Sequence, residues 1–599
     1  MKIKKQHISS SNKALVIIAI FSMLFIWAVR WNGISGNNYK NIIRSDGNGY
    51  YHYFEALFGE ESIDNQQENG IFLVKTKNDR VVNKYFVGTA LLMSPFVMPV
   101  YLIQKSLGLE IDLRSEYYQK SISIAALFYL ILGLWAISKL LSFYDIDDRI
   151  IAFALFAIFF GTNLSYYALI GSSMSHVYSF SLISVFLMLF KKQVDSFQAK
   201  RLLILSVLLA LIVLIRPLNI LIVLFLPFIS SSFDNFYQLI RKKAKTFPIN
   251  IIAILVLGLI IFIQLLFWKF QTGNWIVWSY SNEGFYFFNP HLIDFLFSFR
   301  KGLFIYSPFL FLCLLVFVVV YRKKKHELLL SFVPILFIFY MLSSWWNWYY
   351  GDSYGSRVII DYLPVFVLLF ALGMQKMHIS KQRIVVLLAS LFVILNVFQS
   401  YQYYHNIMSH FDMNASKYAC IFGRVGEKYE NSLGGNDDIV SYHKKPLQII
   451  YQCDNYIDSV ASLQLIDSEN LENFENGEYG YLFKKRDKYG LNIRISADEL
   501  RGFDKYYLEF SNNVLLNNGD MKGAYWILVY TDSLNQNYHS ARIKVNEIPL
   551  SAGEEYTNFY KLNLPRFKSE KDNLNLYIQT YSEAEFIVSD LGIKISGTN

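Results

Sequence analysis

Two short segments hold most of the side chains that could do chemistry. The first is Arg44-Ser45-Asp46-Gly47-Asn48-Gly49-Tyr50-Tyr51-His52-Tyr53. Asp-Gly favours a turn, and two glycines let another backbone or a ligand come close. The plain alternative is a turn followed by interfacial aromatics. The second is Trp345-Trp346-Asn347-Trp348-Tyr349-Tyr350-Gly351-Asp352-Ser353-Tyr354-Gly355-Ser356-Arg357. A guanidinium can grip phosphate oxygens through two parallel hydrogen bonds, so Arg357 is a candidate anion ligand. It could equally snorkel or pair with Asp352. Further cations are Arg216, next to Pro217 inside an apolar stretch, Lys84, and the Arg300-Lys301 pair. His176 closes Gly171-Ser172-Ser173-Met174-Ser175-His176; a lone histidine there is either a ligand contact or a satisfied hydrogen-bonding residue.

These residues must be held by a membrane protein. The chain has 599 residues, 54% of them hydrophobic and only 17% charged, where a soluble chain carries about 25%. Apolar runs long enough to cross a bilayer recur from Ala14 to about Tyr401 and then stop. Two domains follow: 1–401 in the membrane and 402–599 outside it. The net charge of +9 comes from short basic clusters between apolar runs, as in cytoplasmic loops, and does not call for a nucleic-acid partner. The N-terminal lysines and the run Ala14–Val29 resemble a signal peptide, but Arg30-Trp31-Asn32 follows instead of a small-residue cleavage site, so the segment reads as an uncleaved anchor.

Sidedness follows from parity. Basic clusters at Lys2–Lys5, at Lys191, Lys192, Lys200 and Arg201, at Arg241–Lys245, at Arg322–Lys325 and at Lys376–Arg383 mark the inside. Counting from them gives eleven spans: Ala14–Val29, Ile122–Leu141, Ile151–Phe160, Met174–Phe190, two short ones within Leu202–Ser230 meeting at Arg216-Pro217, Ile251–Phe267, Leu303–Tyr321, Leu328–Leu342, Ile359–Met374 and Ile384–Ser400. Thr89–Ile103 is apolar but has the wrong parity, and Pro95 and Pro99 disfavour an unbroken helix; it is expected to lie along or dip into the outer face. Long outer loops are then 31–119, 268–302 and 343–357. Asp46 opens the first, just after the first span, and the C-terminal domain lies outside.

A single outward span, an acid early in a long outer loop, surface helices and then many spans resemble the GT-C superfamily of polyprenyl-phosphate-sugar-dependent glycosyltransferases, in its protein-mannosyltransferase and aminoarabinose-transferase branches. Asn83-Lys84-Tyr85-Phe86-Val87-Gly88 is similar to the Lys-Pro-Pro-like element of those loops, and Gly108 with Arg114–Ala126 to the entry of their second span. The resemblance covers roughly residues 14–400. It implies that Asp46 is the general base on the acceptor, that Lys84, Arg216, Arg300 and Arg357 hold the donor phosphate, and that Tyr50, Tyr51, His176, Trp348 and Asp352 line the substrate site. Arg300 and Lys301 could instead meet anionic headgroups, and the Trp/Tyr cluster could stack on a sugar or form an aromatic belt. Glu55, Glu60 and Glu61 are expected to face water. Relatives often place an acid near residues 171–176; here glycine and serines stand, so Asp352 or Glu283 is a possible second carboxylate. No cofactor is required, and a divalent cation is left open. The implied partners are a polyprenyl-phosphate sugar donor, a lipid, glycan or protein acceptor, and membrane lipids, at a bacterial inner membrane.

Beyond residue 402, alternating runs at Tyr525–Tyr530, Ala541–Val545, Leu574–Gln579 and Phe586–Ile595 between Asn, Asp, Gly and Ser clusters point to a β-sandwich-like module. Cys420 and Cys453 could pair there if the domain is extracytoplasmic. No Walker-type loop, Rossmann fingerprint or zinc-type spacing occurs. The rival readings are a transporter or flippase of lipid-linked glycans and a non-catalytic scaffold with a glycan-binding outer domain. Transport predicts charges at mid-span and internal repeats; the uncharged run Ile251–Phe267 and the one-sided polar residues disfavour it.

Overall fold

A computed structural model describes residues 9–33, 39–59, 72–76, 79–244, 247–280, 283–410 and 413–426, then separate stretches between 429 and 598. Glu60, Glu61, Lys245 and the N-terminal lysines lie outside the described residues. The chain divides into two compact units, Met1–Ser400 and Tyr401–Asn599.

The first unit is helical. Helix α1 (Ser10–Phe25) continues through a wider turn, Ile26–Trp31, as one apolar rod. Then come α2 (Asp46–Phe58), a hairpin of β1 (Leu73–Lys75) and β2 (Val81–Asn83), α3 (Gly88–Ser106), α4 (Glu116–Ser142), α5 (Asp148–Phe160), α6 (Leu164–Leu169), α7 (His176–Asp195) and α8 (Ala199–Ile215). A 3-10 helix, Pro217–Phe225, leads to α9 (Leu226–Ile229), α10 (Phe233–Ala244) and α11 (Phe247–Thr272). Helices α12 (Leu292–Phe297), α13 (Leu303–Tyr306), α14 (Pro308–Tyr321) and α15 (Lys325–Ser343) follow. A 3-10 turn at Arg357–Tyr362 runs into α16 (Leu363–Lys376), and α17 (Ile379–Tyr404) comes next.

Among the described residues, seven helices are long and apolar enough to cross a membrane: Ser10–Trp31, Glu116–Ser142, His176–Asp195, Pro248–Thr272, Lys325–Ser343, Arg357–Lys376 and Ile379–Tyr404. The other four expected spans fall on shorter helices. Helix α5 has 13 residues, α8 has 17 and α14 has 14, and the apolar stretch after Arg216 is Pro217–Ile229; a bilayer core takes about 20. Chain breakers set these lengths. Gly161 ends α5, Pro217 ends α8, and Ser307-Pro308 splits the expected Leu303–Tyr321 span into α13 and α14. Pro can open a helix because its first N–H groups have no partner in any case. Helix α16 with its leading turn is the centre of the bundle, 89% buried over its apolar window, against 17% for Pro248–Thr272. Ile254, Leu255 and Leu259 on α11 stay exposed, as suits a helix facing lipid. The unit is an integral membrane bundle.

One expectation about Thr89–Ile103 is corrected, that its prolines break the helix. The stretch is a single helix, α3, with Pro95 and Pro99 inside it. Pro95 cannot donate to the Leu91 carbonyl, and the Ser94 hydroxyl does so instead, at 2.7 Å. Pro99 stands four residues after Pro95, so its missing N–H strands only the Pro95 carbonyl. Helix α3 packs on α2, α4 and α8.

The second unit contains α18 (Ala415–Ile421) and two antiparallel sheets. One runs β10 (Glu555–Leu564), β7 (Lys505–Asn518), β12 (Glu585–Thr598), β5 (Tyr479–Phe483), β4 (Leu471–Asn473), with β3 (Gln448–Cys453) also on β12. The other runs β6 (Tyr489–Ser496), β11 (Asn573–Thr580), β8 (Ala524–Thr531), β9 (Asn537–Lys544). Strand β11 alternates buried and half-buried residues along its length, the period of a strand with one face on a core. Trp526, Phe510, Phe483 and Phe586 from the two sheets share that core, which makes a β-sandwich. The Cys420 side chain lies outside the described residues, so its pairing with Cys453 remains an expectation.

Candidate active site

Asp46 is the first residue of α2, not part of a free turn. The residue before it, Ser45, has φ 53° and ψ −135°, a region that costs a side-chain-bearing residue about 1–3 kcal/mol. The surroundings hold this bend. Gly47 lies against Ser173, where a Cβ would sit 2.1 Å from the hydroxyl, and Gly49 lies against the Tyr85 ring, where one would sit 2.3 Å away. Asn83 donates to the Gly49 carbonyl at 2.8 Å and accepts from the Tyr85 N–H at 3.0 Å. The Tyr53 hydroxyl donates to the Tyr85 carbonyl at 2.7 Å. The glycines therefore serve close packing that fixes the first turn of α2.

The Asp46 carboxylate faces Arg357, with Nη2 2.8 Å from Oδ2. The two side chains are 19% and 9% exposed, so the pair is mostly shielded yet reachable. Burial pushes the Asp46 pKa up, but the Arg357 charge, a hydrogen bond from Tyr85 and the more distant Arg216 outweigh it and hold the carboxyl below its ordinary value. Its place at a helix N-terminus also favours the anion. Asp352, the alternative partner considered for Arg357, is exposed and lies toward Tyr166 and Tyr167.

Four residues on from Arg357, at the other end of the same 3-10 turn, stands Asp361. Its carboxylate meets His176 Nδ1 at 3.2 Å and Arg216 Nη1 at 3.5 Å. His176 opens α7, and Arg216 sits at the break between α8 and the 3-10 helix. Four elements thus deliver Asp46, Arg357 with Asp361, His176 and Arg216 to one place. Tyrosines complete it. The Tyr50 and Tyr85 rings meet at a tilt with centroids 4.7 Å apart, and the Tyr50 hydroxyl bonds Ser175 at 3.1 Å. Tyr280 feels the charges of Arg216 and Asp46. Burial raises the phenols of Tyr50, Tyr85 and Tyr280, so they stand as neutral hydroxyls that can donate to an anion or a sugar.

The remaining expected residues are placed differently. Tyr51 is fully buried, and its hydroxyl donates to the Leu113 carbonyl at 2.7 Å; it faces away from Asp46. Lys84 is paired with Glu283 and lies over the Tyr280 ring at 5.6 Å, beside the site but already neutralised. Arg300 covers the Tyr349 ring at 3.7 Å, and Trp348 stacks on His291 at 5.7 Å; these form an aromatic group of their own. Lys301 is buried and donates to the Ser353 carbonyl. Glu55 is half-buried rather than free in water. It is bonded to Arg114 and His52, and they lower its pKa against the effect of burial. Glu283, considered as the second carboxylate, is spent on Lys84. Asp361, Tyr85 and Tyr280 were not singled out from the sequence. For Asp361 there was a signal: a carboxylate inside an apolar run, four residues after an arginine. Among the described residues no group of three or more His, Cys, Asp or Glu side chains gathers as a metal site.

No protein-family model matches the sequence, and no curated protein matches it. Among solved structures the chain is similar to arabinosyltransferase EmbB from Mycobacterium smegmatis, at 9% identity over 96% of this chain and 64% of that one, with a TM-score of 0.39. It is also similar to the archaeal oligosaccharyltransferase AglB from Archaeoglobus fulgidus, solved with an inhibitory peptide and a dolichol-phosphate, at 13% identity over 66% of this chain and 55% of that one, with a TM-score of 0.37. The chain spans less than two thirds of the length of either neighbour.

Proposed function

We propose that the chain is an inverting GT-C-type glycosyltransferase. It moves a sugar from a polyprenyl-phosphate donor to a lipid, glycan or protein acceptor at the outer face of a bacterial cytoplasmic membrane. The observation that supports this best is the shielded Asp46–Arg357 pair, with a second guanidinium, Arg216, close by and 23% exposed. One carboxylate and two arginines suit a reaction whose leaving group is already a phosphate.

The donor phosphate binds Arg216 and draws Arg357 away from Asp46. The freed carboxylate accepts the proton of the acceptor hydroxyl as its oxygen attacks the anomeric carbon. The new C–O bond forms as the old bond to the phosphate oxygen breaks, and its electron pair leaves with the polyprenyl phosphate. Attack opposite the leaving group inverts the anomeric centre. The guanidiniums stabilise the charge growing on the phosphate, so no general acid is needed. Tyr50, Tyr85 and Tyr280 supply hydroxyls and ring faces for the sugar. The C-terminal domain is extracytoplasmic in this reading.

The test is a deletion strain whose lipid-linked and protein-linked glycans are compared with the parent by mass spectrometry. The missing material names the product. Wild-type chain should restore it. Asp46→Asn at normal membrane abundance should not, and restoration by that variant would remove Asp46 as the base.

A further inference from the structure

We infer that Asp361 is a positioning residue: it fixes the Arg216 guanidinium from behind, so that its open side receives the anion. The inference rests on the reading of the site as one for a lipid phosphate. Asp361 and His176 are each 1% exposed, whereas Arg216 keeps 23% of its side chain open. A carboxylate enclosed in an apolar bundle needs a partner, and among the described residues Asp361 is the carboxylate within ion-pair reach of Arg216.

The contacts are graded. Arg357 is closed on Asp46 at 2.8 Å and is 9% exposed. Arg216 is 3.5 Å from Asp361 and 3.4 Å from the ring nitrogen of His176. Such longer contacts orient a guanidinium without using up its donors, since five N–H groups share one fork. Arg216 itself has extended backbone, φ −154° and ψ 116°, at the Pro217 break, so no helix dictates where its side chain goes. The Arg357–Tyr362 turn is buried along its whole length. It carries Arg357 at one end and Asp361 near the other, so both guanidiniums are referred to one rigid element. Arg216 then meets the phosphate first, and Arg357 joins when it leaves Asp46.

The experiment uses full-length protein in detergent with farnesyl phosphate as the probe and farnesol as its uncharged control. Wild type should bind the phosphate in preference to the alcohol. Asp361→Asn should weaken farnesyl-phosphate binding about tenfold, the scale of one charge-assisted contact, and leave farnesol binding unchanged. Arg216→Ala should do the same, and the double variant should bind no more weakly than Arg216→Ala, because the carboxylate acts through the arginine. Asp361→Glu, which keeps the charge, should recover part of the affinity. Wild-type affinity in Asp361→Asn, or losses that multiply in the double variant, would overturn the inference. Should Asp361→Asn not fold, the charge-balanced double variant against Arg216→Ala decides in the same way. If wild type does not distinguish phosphate from alcohol, the lipid-phosphate reading fails. Thermal stabilities of the four proteins then test the Asp361–Arg216 coupling, and additive losses would overturn it.

Discussion

Replacing Asp46 by Asn should move three quantities in different directions. At 2.8 Å, Coulomb's law with an effective dielectric constant of about 20 gives roughly 6 kcal/mol for unit charges. Desolvation already offsets much of that, and breaking a shielded pair by removing one partner costs about 3–5 kcal/mol. With Asp46 19% exposed, the lower end applies, so stability should fall by about 3 kcal/mol. Transfer should fall by about 10²–10⁴-fold, the range for losing a general base. Affinity for a lipid phosphate should rise, because Arg357 no longer has a carboxylate competing for it; an increase of up to about tenfold is expected. The assay is product formation by mass spectrometry, with farnesyl-phosphate binding and detergent-solubilised unfolding measured on the same preparations. A second substitution, Arg357→Gln, should restore charge balance and recover most of the lost stability in the Asp46→Asn background. Retained transfer, or weaker phosphate binding by Asp46→Asn, would refute the reasoning, since mere structural damage lowers affinity along with activity.

The pH dependence carries a sign. Asp46 is held below its ordinary value of 3.8, so its contribution to stability is present above that value and is lost as pH falls through the lower, folded-state pKa. Accordingly kcat/KM should stay level from neutrality down to about pH 4, whereas the acid limb of kcat should lie higher, because bound phosphate takes Arg357 from the carboxylate; coincident limbs would count against that exchange. Arg357→Lys keeps the charge but not the fork, so it should keep membrane abundance and lose transfer. Gly47→Ala should cost about 1–3 kcal/mol, because its Cβ meets Ser173 at 2.1 Å, and Ser173→Gly should recover part of that in unfolding measurements. Tyr51→Phe should leave transfer intact and cost about 1–2 kcal/mol, since it strands the Leu113 carbonyl, whereas Tyr50→Phe should reduce transfer at unchanged abundance.

The helical bundle and the β-sandwich were legible in the sequence, because both depend on apolar periodicity over many residues. Break points were legible where a residue type forces them, as at Arg216-Pro217. Span lengths were less so. Hydropathy runs straight through Ser307-Pro308, yet the backbone does not. At α3 the reverse held: two prolines argued for a broken segment, and one serine hydroxyl at the vacated carbonyl sits within an unbroken helix. Asp46 could be picked out as an acid early in the first outer loop, and Arg216, His176 and Arg357 as polar residues at the ends of apolar runs. Their pairing could not, since Asp46 and Arg357 are over three hundred positions apart and only packing joins them. Tyr51 and Lys84 look like site residues by neighbourhood. One faces the other side of a helix, and the other has its charge met by Glu283.

The site residues share one property that bears on mechanism. Asp46 is at a helix start, His176 at another, Arg216 at a proline break and Arg357 and Asp361 on a 3-10 turn. Helix interiors in a bilayer satisfy their own backbone and leave polar side chains costly. Helix ends and breaks bring backbone donors and water to the same depth, so charge can be held there. Each guanidinium in turn holds one of the chain's own carboxylates, Arg357 that of Asp46 and Arg216 that of Asp361. The cluster is therefore nearly neutral as it stands. In the proposed reaction the phosphate meets Arg216 while Asp361 keeps its place behind it, and only at Arg357 does it exchange with a carboxylate, which frees the group proposed to take the acceptor proton. Donor binding and activation of the base are then one event, and an acceptor without donor meets Asp46 still tied to Arg357.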